Sequence, residues 1–352
     1  MGNWYQFENR WWPNPNVMMK VYIKDIAYYL PTKVVTNEQL VQEFPEWSIE
    51  KIVDKVGIKE RHVAAENETA LDMAVSAAEK LFLQGKCQKE DVDYVLLCTQ
   101  SPDYFLPSSA CIVQTILGLR TDIGALDFNL GCSGYVYGLS LAKGLVVAGI
   151  AKNVLLLTSE TYNKHLHPRD KGNRSIFGDG ASATVISANG IAEIGKFQLG
   201  TDGEGANNLI VKTGGMRNPI KANDIKYDEK NGNPISSDYL FMDGSEIFAF
   251  TLTHVPKLIK KVLAKNDLEQ KDVDLFVLHQ ANKYMLDFLK KKCKIIDEKF
   301  YYCIENVGNT VSSSIPIALV EAIKERRVVE ENNLLIAGFG VGYSWAGTML
   351  KF

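Results

Sequence analysis

Residues 126–150 read LDFNLGCSGYVYGLSLAKGLVVAGI, and this stretch decides the fold. An apolar run closes on the turn Gly131-Cys132-Ser133-Gly134, and from Tyr135 to Ile150 the only charge is Lys143. A helix apolar on nearly every face belongs inside a large protein, so a central, buried helix is expected here. Cys132 then stands where a strand turns into that helix, at the end whose unpaired N–H groups carry partial positive charge. That field favours a thiolate, the form of cysteine that attacks carbon. A cysteine that merely fills space in the core is the plainer alternative, since free cysteine is among the most buried residue types.

Outward from this stretch the chain alternates strands and helices. VYIKDIAYYLP from Val21 reads as a strand stopped by Pro31, and Thr36 with Glu38-Gln39 reads as a helix start. Residues 69–86 have helical spacing, 91–98 (DVDYVLLC) read as a buried strand, and Pro107-Ser108-Ser109 open a short helix. Strands follow at 123–129, 153–158 and 180–188. Such alternation predicts an α/β protein with a largely parallel sheet covered on both faces.

The second half repeats the first. DVDYVLLC at Asp91 returns as DVDLFVLH at Asp272, LAKGLVVAGIAKNVLLL from 141 resembles ALVEAIKERRVVEENNLLI from 318, and Phe177-Gly178-Asp179-Gly180 returns as Phe339-Gly340-Val341-Gly342. Three matches in one order predict two pseudo-symmetric halves, spanning 19–190 and 191–352, after an N-terminal extension of 1–18. Functional groups of open α/β units gather beyond the carboxyl ends of strands. Cys132 in the first half, His279 at the end of the repeated strand and Asn309, aligned with position 132, are therefore expected to meet at one point. Residues 203–240, rich in Gly, Asn, Lys and Asp, read as a surface loop or lid.

With 352 residues, 46% hydrophobic, 23% charged and a net charge of −3, the chain suits a globular protein with two cores, and neither a nucleic-acid binder nor a disordered chain. Its six cysteines show no C-x-x-C spacing, which points to reduced thiols in a cytoplasmic protein. Residues 1–18 resemble neither signal peptide nor membrane anchor, and Gln6 stands where myristoylation calls for Ser or Thr. The stretch 135–150 is too short to span a membrane.

A thiolate, an imidazole and a carboxamide suit one chemistry in particular. The sulfur takes an acyl group from a thioester, and His and Asn donors hold the oxygen of a malonyl thioester as it loses CO2. Backbone N–H groups of Cys132 and of the 340–342 turn are candidates for the acyl oxyanion. The plainer readings make His279 a satisfied core histidine and Asn309 a turn residue. His165 and His167 lack further ligands at metal spacing, so no metal is expected, and Gly338-x-Gly340-x-Gly342 precedes a strand, unlike a dinucleotide site. Lys290, Lys291, Lys292 and Lys294 form either a wet face or a dock for an acidic carrier.

The motifs Gly57-Ile58-Lys59-Glu60-Arg61-His62, Gly131-Cys132-Ser133-Gly134, Ile176-Phe177-Gly178-Asp179-Gly180-Ala181, His279-Gln280-Ala281-Asn282, Gly308-Asn309-Thr310 and Gly338-Phe339-Gly340-Val341-Gly342 occur in this order. By them the chain from Val21 to Phe352 resembles the β-ketoacyl-acyl-carrier-protein synthase III group of the thiolase superfamily. The resemblance implies a thiolase-like, five-layered αβαβα fold and a homodimer. It also implies a decarboxylative Claisen condensation of an acyl thioester with malonyl-acyl-carrier protein, with no cofactor besides the thioester substrates. It places the nucleophile on Cys132, the malonyl-site donors on His279 and Asn309, and the oxyanion N–H groups on Cys132 and Val341. Substrate contacts are implied at Leu106, Lys51, Lys171, Met242, Gly244, Ser245, Phe248 and Asn282. Synthases of this group that use coenzyme A clamp the adenine between a Trp and an Arg, which align here with Lys51 and Lys171. Lysine lacks the planar face, so weaker use of coenzyme A and an acyl-carrier-protein donor are expected. Tyr284 replaces an arginine tied to carrier docking, and Leu106 replaces a phenylalanine gate that reaches across the dimer. Two other readings stand beside this one: acyl transfer to an alcohol, amine or other acceptor without decarboxylation, and a non-catalytic partner subunit.

Overall fold

The computed structural model describes residues 19–229 and 232–352; the extension at 1–18 lies outside the described residues. Ten strands make one mixed path: β1 (Tyr22–Tyr29), β2 (Tyr94–Cys98), β3 (Gly124–Phe128), β4 (Asn153–Glu160), β5 (Gly180–Ser187), β6 (Ala192–Ile194), β7 (Gln198–Thr201), β8 (Leu275–Leu278), β9 (Asn333–Gly340) and β10 (Ser344–Lys351). Their order is β8-β9-β10-β6-β1-β5-β4-β2-β3, with β7 on β10. The helices are α1 (Asn37–Glu43), α2 (Ile49–Val56), α3 (Ala70–Leu83), α4 (Ser109–Leu117), α5 (Gly134–Val147), the single turn α6 (Lys171–Arg174), α7 (Gly244–Lys265), α8 (Lys283–Cys293) and α9 (Ser314–Lys324).

The repeat has a spatial meaning. In the first half β2 runs parallel to β4, β4 antiparallel to β5, and β5 antiparallel to β1. In the second, β8 runs parallel to β9, β9 antiparallel to β10, and β10 antiparallel to β6 and β7. β6 also pairs with β1 and so joins the halves. The sheet is thus mixed, where alternation alone predicted a largely parallel one. The cause lies in residues 161–179 and 341–343, which carry no crossover helix long enough to return a strand in parallel.

Side chains alternate along each strand, and the alternation builds the layers. Leu155 and Leu157 of β4 enter a core with Met73, Ala77 and Leu81 of α3 and Val113 of α4. Val154 and Leu156 face the other way, into a core shared with Val136 and Leu139 of α5, Ile315 and Leu319 of α9, and Leu334 and Ile336 of β9. Leu335 and Ala337 of β9 then meet Leu258 and Val262 of α7 and Leu286 of α8. Five layers result: α3 and α4, sheet, α5 and α9, sheet, α7 and α8. This is the layering that the resemblance implied.

Two expectations change in detail. Helix α5 is buried along one face to its last turn, where Ala142 and Val146 are covered, but Leu141 and Val147 are 43% and 44% exposed on the other face, so it is not enclosed on nearly every side. By helix starts, the symmetry mate of Cys132 is Ser312 and not Asn309. The caps Ser133 (φ −87, ψ −8) and Ser313 (φ −85, ψ −8) have nearly the same backbone. The insertion at 203–240 is mostly exposed, with a small hairpin that pairs Lys226–Tyr227 with Pro234–Ile235.

Leu156 is fully buried between the layers, whereas Leu83 is 84% exposed. Leu156→Ala should lower unfolding stability by about 2–5 kcal/mol. Leu83→Ala should stay within ~0.5 kcal/mol, both read from urea unfolding midpoints.

Candidate active site

The nucleophile turn is made by close packing. A β-carbon at Gly134 would collide with Cys98 Sγ, so only glycine lets α5 begin there. A β-carbon at Gly340 would lie 2.9 Å from both Cβ and Sγ of Cys132, so the end of β9 rests directly on the nucleophile. Cys132 keeps 6% of its surface and shares one apolar cluster with Leu278, Val311 and Phe339. The N–H groups of Cys132 itself and of Val341 are directed at its sulfur.

His279 follows β8, and its N–H donates to the Ala337 carbonyl across the parallel pair, at 2.8 Å. Its ring meets Phe339 edge-on at 5.7 Å, and Nδ1 lies 2.7 Å from Ser314 Oγ at the start of α9. Asn309 is held by backbone bonds to the 176–178 segment, donating to Ile176 O at 2.9 Å and accepting from Gly178 N–H at 3.0 Å. The Val311 N–H donates to Asn309 Oδ1 at 2.9 Å, which occupies the oxygen end and leaves Nδ2 as the free donor. Val311 adopts φ +54, a left-handed conformation that β-branched residues avoid. Gly338 and Gly340 of β9 pack on the Cys132 turn, Ala337 of the same strand holds the His279 backbone, and the turn after Asn309 delivers Ser314 to the His279 ring.

Burial sets the charges there. It pushes the Cys132 thiol up to about 12, with the Glu160 carboxyl adding to the shift and the two backbone N–H groups opposing it. The expected gain from the helix N-terminus is outweighed, because a buried thiolate loses its hydration. Burial alone lowers His279 to about 3, so its imidazole is neutral at working pH. Glu160 ends β4 beneath the nucleophile and is raised to about 8 by burial. It accepts from Gln100 N–H and from Ser312 Oγ–H, both at 3.0 Å. Gln100 Oε1 in turn accepts from Tyr162 at 2.5 Å. Sequence reading passed over Glu160, although three polar residues ending an apolar strand, Thr158-Ser159-Glu160, were a signal.

The substrate-binding candidates divide. Met242, Gly244 and Ser245 line a cavity of about 750 Å³ with Gly172, Asn173 and Ile176. Phe248 packs at 5.6 Å against Tyr284, whose neighbour Phe288 completes a half-exposed aromatic patch. Asn282 caps α8 by accepting from Met285 N–H at 2.8 Å. Lys171 pairs with Glu46 at 2.6 Å. Lys51 lines a separate cleft with Ile52, Lys55, Ser175 and Trp47. Trp47, not singled out in the sequence, brings an indole ring into the cleft at the position aligned with the clamp. Leu106 lies apart from these residues, 83% exposed beside exposed Phe105. His165 Nε2 lies 3.1 Å from Ser101 Oγ, and the His167 ring meets Tyr239 edge-on at 4.8 Å. Among the described residues no helix is long and apolar enough to cross a membrane.

The family models and the most similar relatives agree. The model of 3-oxoacyl-[acyl-carrier-protein] synthase III matches residues 126–203, and that of its C-terminal part matches 263–352. A β-ketoacyl-[acyl-carrier-protein] synthase III of Clostridium perfringens is 37% identical over 324 residues, covering 92% of this chain and 96% of its own. A crystal structure of a 3-oxoacyl-(acyl-carrier-protein) synthase III superposes with TM-score 0.92 at 52% identity, over 95% of this chain and all of that one. The 3-oxoacyl-(acyl-carrier-protein) synthase of Burkholderia xenovorans gives 0.86 at 36%, over 95% and 94%.

Alkylation of Cys132 by iodoacetamide should keep climbing as pH rises past 9.0, the ordinary thiol value, because burial holds the thiol form. Peptide mass spectrometry reads it; a plateau near neutrality would mean that the thiolate is already formed in the resting protein.

Proposed function

We propose, from the premise that this chain belongs to the 3-oxoacyl-[acyl-carrier-protein] synthase III family, that Cys132, His279 and Asn309 carry out that family's condensation here. The chain is an acyltransferase of the synthase III type, acting in fatty-acid synthesis. The Cys132 sulfur adds to the carbonyl of an acyl thioester, and the donor's thiol leaves with the cysteine's proton. Malonyl-acyl-carrier protein then loses CO2. The electron pair left on carbon attacks the acyl carbonyl, and the Cys132 sulfur departs, giving a 3-oxoacyl-carrier product.

One observation supports the division of labour above all. His279 is neutral and Asn309 has its oxygen end occupied, so both present hydrogen-bond donors without a charge. That suits a site where negative charge develops on a thioester oxygen as CO2 departs. The N–H groups of Cys132 and Val341, which meet the sulfur, would hold the acyl oxyanion in the other half-reaction.

The carrier protein is read as docking beside the cavity mouth. Phe248 of α7 with Tyr284 and Phe288 of α8 offers an apolar patch there, and Lys291 and Lys292 of α8 supply charge for an acidic partner. Trp47 supports a role for coenzyme A as well, since it offers the flat face that Lys51 lacks, in the same cleft as two lysines. The homodimer is read across β3, a sheet edge on which Leu126 is exposed, with Phe105 and Leu106 projecting nearby.

Cys132→Ala should abolish acyl-enzyme formation, read as the missing acyl mass on the intact protein; acylation that persists refutes the assignment. Asn309→Ala should slow CO2 release from malonyl thioester by roughly 10²–10³-fold while self-acylation changes far less, and the opposite order would reject its role. Trp47→Ala should raise KM for acyl-coenzyme A about tenfold and leave that for the carrier-bound donor unchanged. Equal effects on both donors would argue against stacking.

A further inference from the structure

The turn behind Asn309 carries three hydroxyls in succession, and each fastens to a different place. Ser312 Oγ–H donates to the buried Glu160 carboxyl at 3.0 Å. Ser313 Oγ lies 2.8 Å from Thr158 Oγ1, at the centre of the molecule. Ser314 Oγ lies 2.7 Å from His279 Nδ1 and 3.4 Å from Gln280 N–H. All three serines are buried. The first two bind the turn to the first half, and the third faces the second half.

One of the two bonds at Ser314 has a fixed direction. A backbone N–H can only donate, so Gln280 N–H uses a lone pair of Oγ and leaves the hydroxyl hydrogen for another acceptor. A neutral imidazole offers one acceptor nitrogen, and here Nδ1 is within reach. We propose that Ser314 is a positioning residue for the condensation, donating to Nδ1 of His279 and holding the proton on Nε2. The nitrogen turned away from Ser314 is then a donor in every turnover. Without this bond the neutral ring would divide between two tautomers, and the form with a bare Nε2 would repel the thioester oxygen. Ser312 and Ser313 fix where that hydroxyl stands. The inference rests on reading His279 as a donor to the malonyl thioester, and adds what keeps it one.

Nitrogen-15 NMR of histidine-labelled protein tests it directly, with His279→Gln identifying the signal among the five histidines. In the wild-type protein Nε2 should be the protonated, pyrrole-like nitrogen and Nδ1 the bare one. A protonated Nδ1 overturns the proposal whatever the variants do. Ser314→Ala should slow malonyl decarboxylation about tenfold while Cys132 self-acylation stays within roughly twofold, and Ser314→Thr should restore the rate. Equal losses in both half-reactions, or no loss in Ser314→Ala, would reject the positioning role. His279→Ala separates the two ideas. If it leaves decarboxylation intact, the donor reading itself fails; if it stops decarboxylation while Ser314→Ala does not, only the inference about Ser314 falls.

Discussion

At Gly338 the end of β9 lies against the nucleophile turn of the other half. A β-carbon there would come within 2.5 Å of the Cys132 carbonyl oxygen and 2.8 Å of the Ser133 α-carbon. Backbone touches backbone, and the position of the site follows from it. The contact sets the Val341 N–H over the Cys132 sulfur, and the parallel pairing of β8 with β9 brings His279 alongside. The turn before α9 reaches the same place from beneath, where Ser312 meets Gly134 and Glu160. Residues far apart in sequence are therefore held by strand ends and helix starts of the five layers, and not by loops alone.

Desolvation governs the chemistry at that spot. The same burial that keeps His279 uncharged also keeps Cys132 a thiol and Glu160 largely protonated near neutrality. A site without resident charge works by directed hydrogen bonds, which strengthen as water is excluded. Their directions are fixed by neighbours that can only donate, such as the Val311 N–H at the Asn309 carboxamide.

Much of this was readable beforehand, for definite reasons. The paired strands DVDYVLLC and DVDLFVLH show in sequence because both faces of each strand are buried and both must stay apolar. Cys132, His279 and Asn309 stood out because each interrupts such a segment or follows a glycine. Strands β5 and β10 were legible as strands but their antiparallel direction was not, since direction depends on what the connection covers rather than on the strand's own residues. Glu160 was hidden because a lone carboxylate after an apolar run usually means solvent. Trp47 was hidden because it precedes the Ser48 cap of α2, and only the folded chain turns it into the cleft that Lys51 and Lys55 line. Asn309 was matched to Cys132 by counting, whereas the equal backbones of Ser133 and Ser313 give the pairing to Ser312.

Val311 shows where the protein sets robustness against turnover. A β-branched residue in a left-handed conformation costs on the order of 1–3 kcal/mol, which glycine would relieve. Yet the valine fills the apolar wall around Cys132, and its backbone N–H holds the carboxamide beside it. Glycine there would relax the backbone and keep the N–H that holds Asn309, but it would strip the wall beside the nucleophile of its side chain. The strained residue is thus kept for what its isopropyl group fills, not for the bond its backbone makes.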